Sequence, residues 1–278
     1  MTDLTYEAKA DAARANELAA TASPFTIMIR FLGGLNARQR SAFTEAADRW
    51  ARIIVGDLPR VRVDGEWIDD ILILAQGVAI DGPGRVLGQA GPSHLRPASA
   101  GGAAFLPVKG VMSFDTADLA KMAGDGTLND VIAHEMGHVL GIGTIWERKG
   151  LLKRPRTTNP TFTGPAAMDE YRLLRGAGRL RGVPVENTGG PGTADGHWRE
   201  TVFRNELMSG FIVATGNPLS RMTAASLGDL GYEVDTAAAE PYVLPNLMEL
   251  AEAGSLVAHA APVDGGVVLP VVPITLPP

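Results

Sequence analysis

Apolar and polar positions alternate first at Phe25, Ile27, Ile29 and Phe31, which interleave with Thr26, Met28, Arg30 and Leu32. A period of two places one face of a strand in a core. Gly33-Gly34 ends the strand. Asn36 then reads as the cap of a helix whose apolar stripe is Phe43, Ala46, Ala47, Trp50, Ile53 and Ile54, closed by Gly56-Asp57-Leu58-Pro59. Val61 with Val63, Ile71 to Leu74, and Val108 to Phe114 read as further strands, and Asp81-Gly82-Pro83-Gly84 as a turn. A second apolar stripe, Leu128, Val131, Ile132, Met136, Val139 and Leu140, predicts a helix. Thr127 is its expected N-cap, Asp130 lies in its first turn, and Gly141 or Gly143 ends it. Ala166 to Arg175 after Pro165, and Ser220 to Leu230 before Gly231, read as two more helices.

The remaining stretches lack such periods. Residues 1 to 23 are Ala-rich and polar and read as a helical or frayed arm. The long loop running through Val185 to Thr193 reads as a pocket wall. Val267 to Pro273 is an extended strip broken by proline, a poor central strand. Strand, helix, strands and helix in that order give an α/β or α+β layer pattern.

Composition narrows the function classes. A chain of 278 residues holds one large domain or two sub-domains about a cleft. The net charge of −6 offers no basic surface for nucleic acid, and no apolar run is long enough to span a membrane. Cysteine is absent, so no disulfide braces the fold and no thiolate serves as ligand or nucleophile. The N-terminal residues Met1 to Thr5 lack the basic and apolar regions of a signal peptide.

The chemistry concentrates in His134-Glu135-Met136-Gly137-His138. Two histidines at i and i+4 face one side of a helix and can grip one metal ion. Glu135, beside the first, is placed as a base for water. A catalytic zinc takes three protein ligands and keeps one position open. An extended motif would put the third ligand at position 144, but Thr144 stands there. His94 reads as a solvated loop residue and His259 as incidental. His197 follows the long loop, and Met208 sits soon after it in Asn205-Glu206-Leu207-Met208-Ser209-Gly210. A methionine there can form an apolar floor beneath the imidazoles. Glu147 or Glu170 remain open as carboxylate alternatives for the third ligand.

With these residues the chain resembles the metzincin zinc peptidases, most closely the leishmanolysin-like family. The match rests on His134, Glu135, His138, Gly141, His197 and Met208, and extends over about residues 25 to 240. The resemblance implies an insertion between the zinc helix and the third ligand His197. It implies one Zn2+ held by His134, His138 and His197, Glu135 as general base, and Met208 in a Met-turn. It implies an α+β fold with an N-terminal mixed sheet, two long helices, and a smaller, loop-rich C-terminal sub-domain across an active-site cleft. The expected division is an arm (1–24), an N-terminal part with the zinc helix (25–146), a C-terminal part with the third ligand (147–240) and a tail (241–278). The implied activity is zinc-dependent endopeptidase action on peptide or protein, with the strand at Val108 to Phe114 pairing with substrate. The implied setting is secreted or extracellular, the alternative cytoplasmic. A non-catalytic, zinc-stabilised binding module is the competing function.

Overall fold

A computed structural model describes residues 4–80, 82, 88–176, 178, 180–190, 192–212, 215–246 and 272–278. In chain order its elements are β1 (Leu4–Lys9), α1 (Ala12–Ala19), β2 (Thr26–Gly33), α2 (Ala37–Ala51), β3 (Val61–Val63), β4 (Glu66–Ile68), β5 (Ile71–Val78) and β6 (Gly88–Leu95). Then come β7 (Pro107–Asp115), α3 (Thr116–Asp125), α4 (Leu128–Val139), β8 (Leu152–Lys153), β9 (Thr161–Phe162), α5 (Pro165–Arg175) and β10 (Val183–Pro184). The last are α6 (Glu200–Phe203), α7 (Arg221–Leu230) and β11 (Ile274–Thr275).

The architecture is α+β. A six-stranded mixed sheet has the order β1-β2-β5-β7-β6-β11, with β2, β5 and β7 parallel, β1 antiparallel to β2, β6 antiparallel to β7, and β11 parallel to β6. The inward residues of β2, Ile27, Ile29 and Phe31, are buried as the alternation requires. They meet Phe43 and Trp50 of α2, which pack in turn on α4. Asn36 caps α2 through a reciprocal capping box with Gln39. The core is continuous from Ala8 to Tyr232.

Three expectations change. The opening residues are not a frayed arm: Leu4 to Lys9 pair antiparallel with β2, residue for residue from Phe31 back to Thr26. The period of two in that short stretch was hidden by its charges; Ala8 is nonetheless buried and Tyr6 donates to Asp48 at 2.8 Å. The strand at 108–114 is not an edge. As β7 it is hydrogen-bonded on both sides, by β5 and β6, so no peptide can add to it. His94 lies not in a loop but in β6, a strand whose Gly, Ala, Pro and Ser content has weak strand propensity. The flank of the sheet over α4 is β6, and among the described residues β11 meets it at His94 and Leu95.

Of the 81–84 turn only Gly82 is described, and His259 and Val267 to Val271 lie outside the described residues. Among the described residues no helix is long and apolar enough to cross a membrane.

Candidate metal centre

Helix α4 carries the first two histidines and is held from several sides. Trp50 of α2 donates its indole N–H to the Ala133 carbonyl at 2.8 Å. At the C-terminal end, Thr144 donates to the His138 carbonyl at 2.8 Å and Tyr232 to the Leu140 carbonyl at 2.9 Å, satisfying acceptors the last turn leaves free. Thr144, unfit as a ligand, thus closes the helix that holds one. At the N-terminus Thr127 makes no capping bond; its hydroxyl turns to Asp125 instead. Asp130 carries the first-turn role, accepting from the Gly216 and Asn217 amides and pairing with Arg49.

After α4 the chain turns through Gly141 and Gly143, both in the left-handed region at φ 112° and 75°. Gly143 lies against the backbone of Gly196: a Cβ there would sit 2.0 Å from the Gly196 oxygen. This contact brings the 193–197 loop, and with it His197, to the face of α4.

His134, His138 and His197 come together. Their Nε2 atoms are 3.0, 3.1 and 2.9 Å apart, and each residue is only 5% exposed. Each Nδ1 faces a backbone carbonyl: Leu207 at 2.7 Å for His134, Ile142 at 2.8 Å for His138 and Thr193 at 2.8 Å for His197. A carbonyl only accepts, so each Nδ1 carries the proton. All three Nε2 atoms then present lone pairs to one another with no proton among them. Burial, reinforced by a neighbouring imidazole, holds each ring's pKa down to about 3, so protonation does not relieve the repulsion. A buried point where three lone pairs converge fits a cation, and the donor set is one zinc accepts.

Glu135 is 6% exposed, its Oε2 has no hydrogen-bond partner among the described residues, and burial pushes its pKa up to about 8. Met208 is fully buried and packs beneath α4, where a Cβ on Gly137 would lie 2.7 Å from its sulfur. The carboxylate alternatives for the third ligand are engaged elsewhere. Glu170 pairs with Arg221 and Glu147 with Arg156, and neither joins the histidine group.

Two residues the sequence reading passed over hold the downstream half. Glu186 accepts from the amides of Asn187, Thr188 and Glu200, and its own amide donates to the His197 carbonyl at 2.8 Å. Glu206 accepts from the Met208 amide at 2.7 Å. A glutamate followed by Asn-Thr in a loop was the only available signal for the first.

A family model described as leishmanolysin matches residues 103–249. A leishmanolysin-like peptidase of Caenorhabditis briggsae is 41% identical over 69 residues, 24% of this chain and 10% of that protein. Leishmanolysin of Leishmania donovani is 28% identical over 142 residues, 48% of this chain and 24% of that protein. Leishmanolysin of Leishmania major is 30% identical over 142 residues, 48% of this chain and 23% of that protein. The chain therefore covers a quarter or less of the length of these relatives. The family match, in contrast, takes in more than half of this chain and contains α4, the converging imidazoles and Met208. On that ground the chain belongs to the leishmanolysin family.

Proposed function

We propose that this protein is a zinc-dependent endopeptidase in which His134, His138 and His197 hold one metal ion. The observation that carries the reading is the convergence of three unprotonated Nε2 atoms with every Nδ1 occupied by a carbonyl. Among the described residues the group has three ligand side chains, not the four of a structural zinc site. That difference favours catalysis over a zinc-stabilised binding module.

Bound zinc would polarise the scissile carbonyl and make water a nucleophile at neutral pH. Glu135 takes the proton of the attacking water at its unpartnered Oε2 and delivers it to the leaving amine nitrogen. Burial alone raises its pKa; the charge of a bound Zn2+ would oppose that rise and leave the carboxylate ionised to accept the proton. Met208 supports the imidazoles from below as an apolar floor, without acting as a ligand.

The substrate is a peptide or protein. An extended peptide pairs with the side of β6 that is unpaired among the described residues over 88–93, the flank above α4. The metzincin arrangement belongs to the same proposal, with parts 25–146 and 147–240 facing each other across a cleft and 241–278 as a tail. So does a secreted or extracellular setting, which rests on the family alone.

Replacing Glu135 by Gln separates metal binding from chemistry. The variant is expected to retain wild-type zinc and to lose casein hydrolysis by a factor of at least about 100. Hydrolysis at the wild-type rate would remove Glu135 from the mechanism.

A further inference from the structure

The metal centre has a keystone outside its ligand set. Glu206 is fully buried, and no lysine or arginine pairs with it among the described ion pairs. Hydrogen bonds hold its carboxylate instead. Oε2 accepts from the Met208 amide at 2.7 Å. Oε1 accepts from the Ser220 amide at 3.1 Å, the Ser220 hydroxyl at 2.6 Å and the Thr223 hydroxyl. Burial raises the pKa of this carboxyl, and the four donors oppose the rise without cancelling it.

Two of these bonds lead to an imidazole, and the two from Ser220 anchor the carboxylate between them. The Met208 amide follows Leu207, whose carbonyl takes the Nδ1 proton of His134. The Thr223 hydroxyl donates to Glu206 and accepts the indole N–H of Trp198 at 2.8 Å, and Trp198 is bonded in sequence to His197. The Trp198 amide also donates to the Met208 carbonyl at 2.9 Å, closing the loop between the two arms. Two of the three ligands, from chain segments 63 residues apart, are aimed through one carboxylate.

We infer that Glu206 is a positioning residue for the metal. It sets the orientation of His134 through the methionine turn and that of His197 through Thr223 and Trp198. A second layer of this kind normally fixes ring tautomer and angle, and its loss weakens metal binding about 10- to 100-fold. The inference rests on the three-histidine reading above, but it fails separately.

The test is zinc affinity by chelator competition, together with the visible spectrum of the cobalt(II)-substituted protein, which reports ligand geometry. A glutamine in place of Glu206 must turn an NH2 group toward at least one of the four donors. Glu206→Gln is expected to bind zinc about 10- to 100-fold more weakly and to change the cobalt band intensities. Thr223→Val, which cuts only the arm to Trp198, is expected to weaken binding and alter the spectrum in the same direction. Thr223→Ser restores the hydroxyl and is expected to return both to wild type. Val63→Ala, a change in the separate small core of Val63, Ile68, Leu72 and Val108, controls for general destabilisation and is expected to leave zinc affinity and spectrum unchanged. If Glu206→Gln does not fold, the Thr223 pair decides. Wild-type affinity and spectrum in Thr223→Val, or an equal loss in Val63→Ala, overturns the role of Glu206 while leaving the three-histidine site standing. A wild-type protein that binds no zinc overturns the metal reading itself.

Discussion

At the scale of single residues, the centre is a problem of proton placement. Three imidazoles buried within 3.1 Å of one another cannot each carry a second proton. Their pKa falls from 6.5 in the open chain to about 3 in the fold. The sign follows directly. Below pH 6.5 the unfolded chain binds protons that the folded one refuses, so stability present above 6.5 drains away as the pH falls toward 3. Chelator-treated protein is therefore expected to melt at progressively lower temperature between pH 7 and pH 4, and His197→Ala, with one ring fewer, to show a shallower decline. Equal slopes would contradict a neutral, crowded triad. The two histidines of α4 were legible in the sequence because helical geometry relates positions 134 and 138 by itself. His197 was legible only with the methionine turn behind it. Glu206 was not legible at all: a glutamate before Leu-Met reads as a solvated charge, and only the return of the chain at Ser220 gives it four donors.

At the scale of elements, α4 is defined as much by the glycines around it as by its apolar stripe. Gly143 combines a left-handed backbone with a backbone contact, since a Cβ would come 2.0 Å from the Gly196 oxygen. Gly150 has the same kind of backbone, φ 71°, but open space around it. Gly150→Ala is expected to destabilise by about 1–2 kcal/mol, the strain of the left-handed region alone. Gly143→Ala adds overpacking of about 1–3 kcal/mol and pushes on the residue before His197, so zinc affinity falls as well. Urea unfolding and zinc titration of the two variants check this, and equal effects would remove the Gly143 contact from the account. Among the elements, α2 and α4 were readable from their stripes, and the Asn36 cap held as expected. Thr127 did not cap α4: its backbone is already helical, φ −82° and ψ −9°, rather than extended as a capping residue requires, and its hydroxyl donates to Asp125. β6 went unread because its glycines, proline and serine mimic a loop. Its strand state comes from pairing with β7, not from local preference.

At the scale of the whole molecule, the mixed α+β character followed from the order of elements, but the strand order did not. Nothing local in β7 announces that β6 folds back along its outer side and leaves it internal. Nor does the opening stretch announce that Leu4 to Lys9 form the far edge of the sheet. Both depend on contacts between distant segments, as does the meeting of α4 with the 197 loop. One core joins these pieces, so a metal bound at their junction would add to the stability of the entire fold. By linkage, zinc at 100 times its dissociation constant would stabilise by about 2.7 kcal/mol. The most direct test of the account is the zinc content of purified wild type and His197→Ala, measured by elemental analysis after exhaustive dialysis. One zinc per wild-type chain and none, or nearly none, in the variant is the predicted result. Equal zinc in both proteins, or no zinc in the wild type, would contradict the three-imidazole centre.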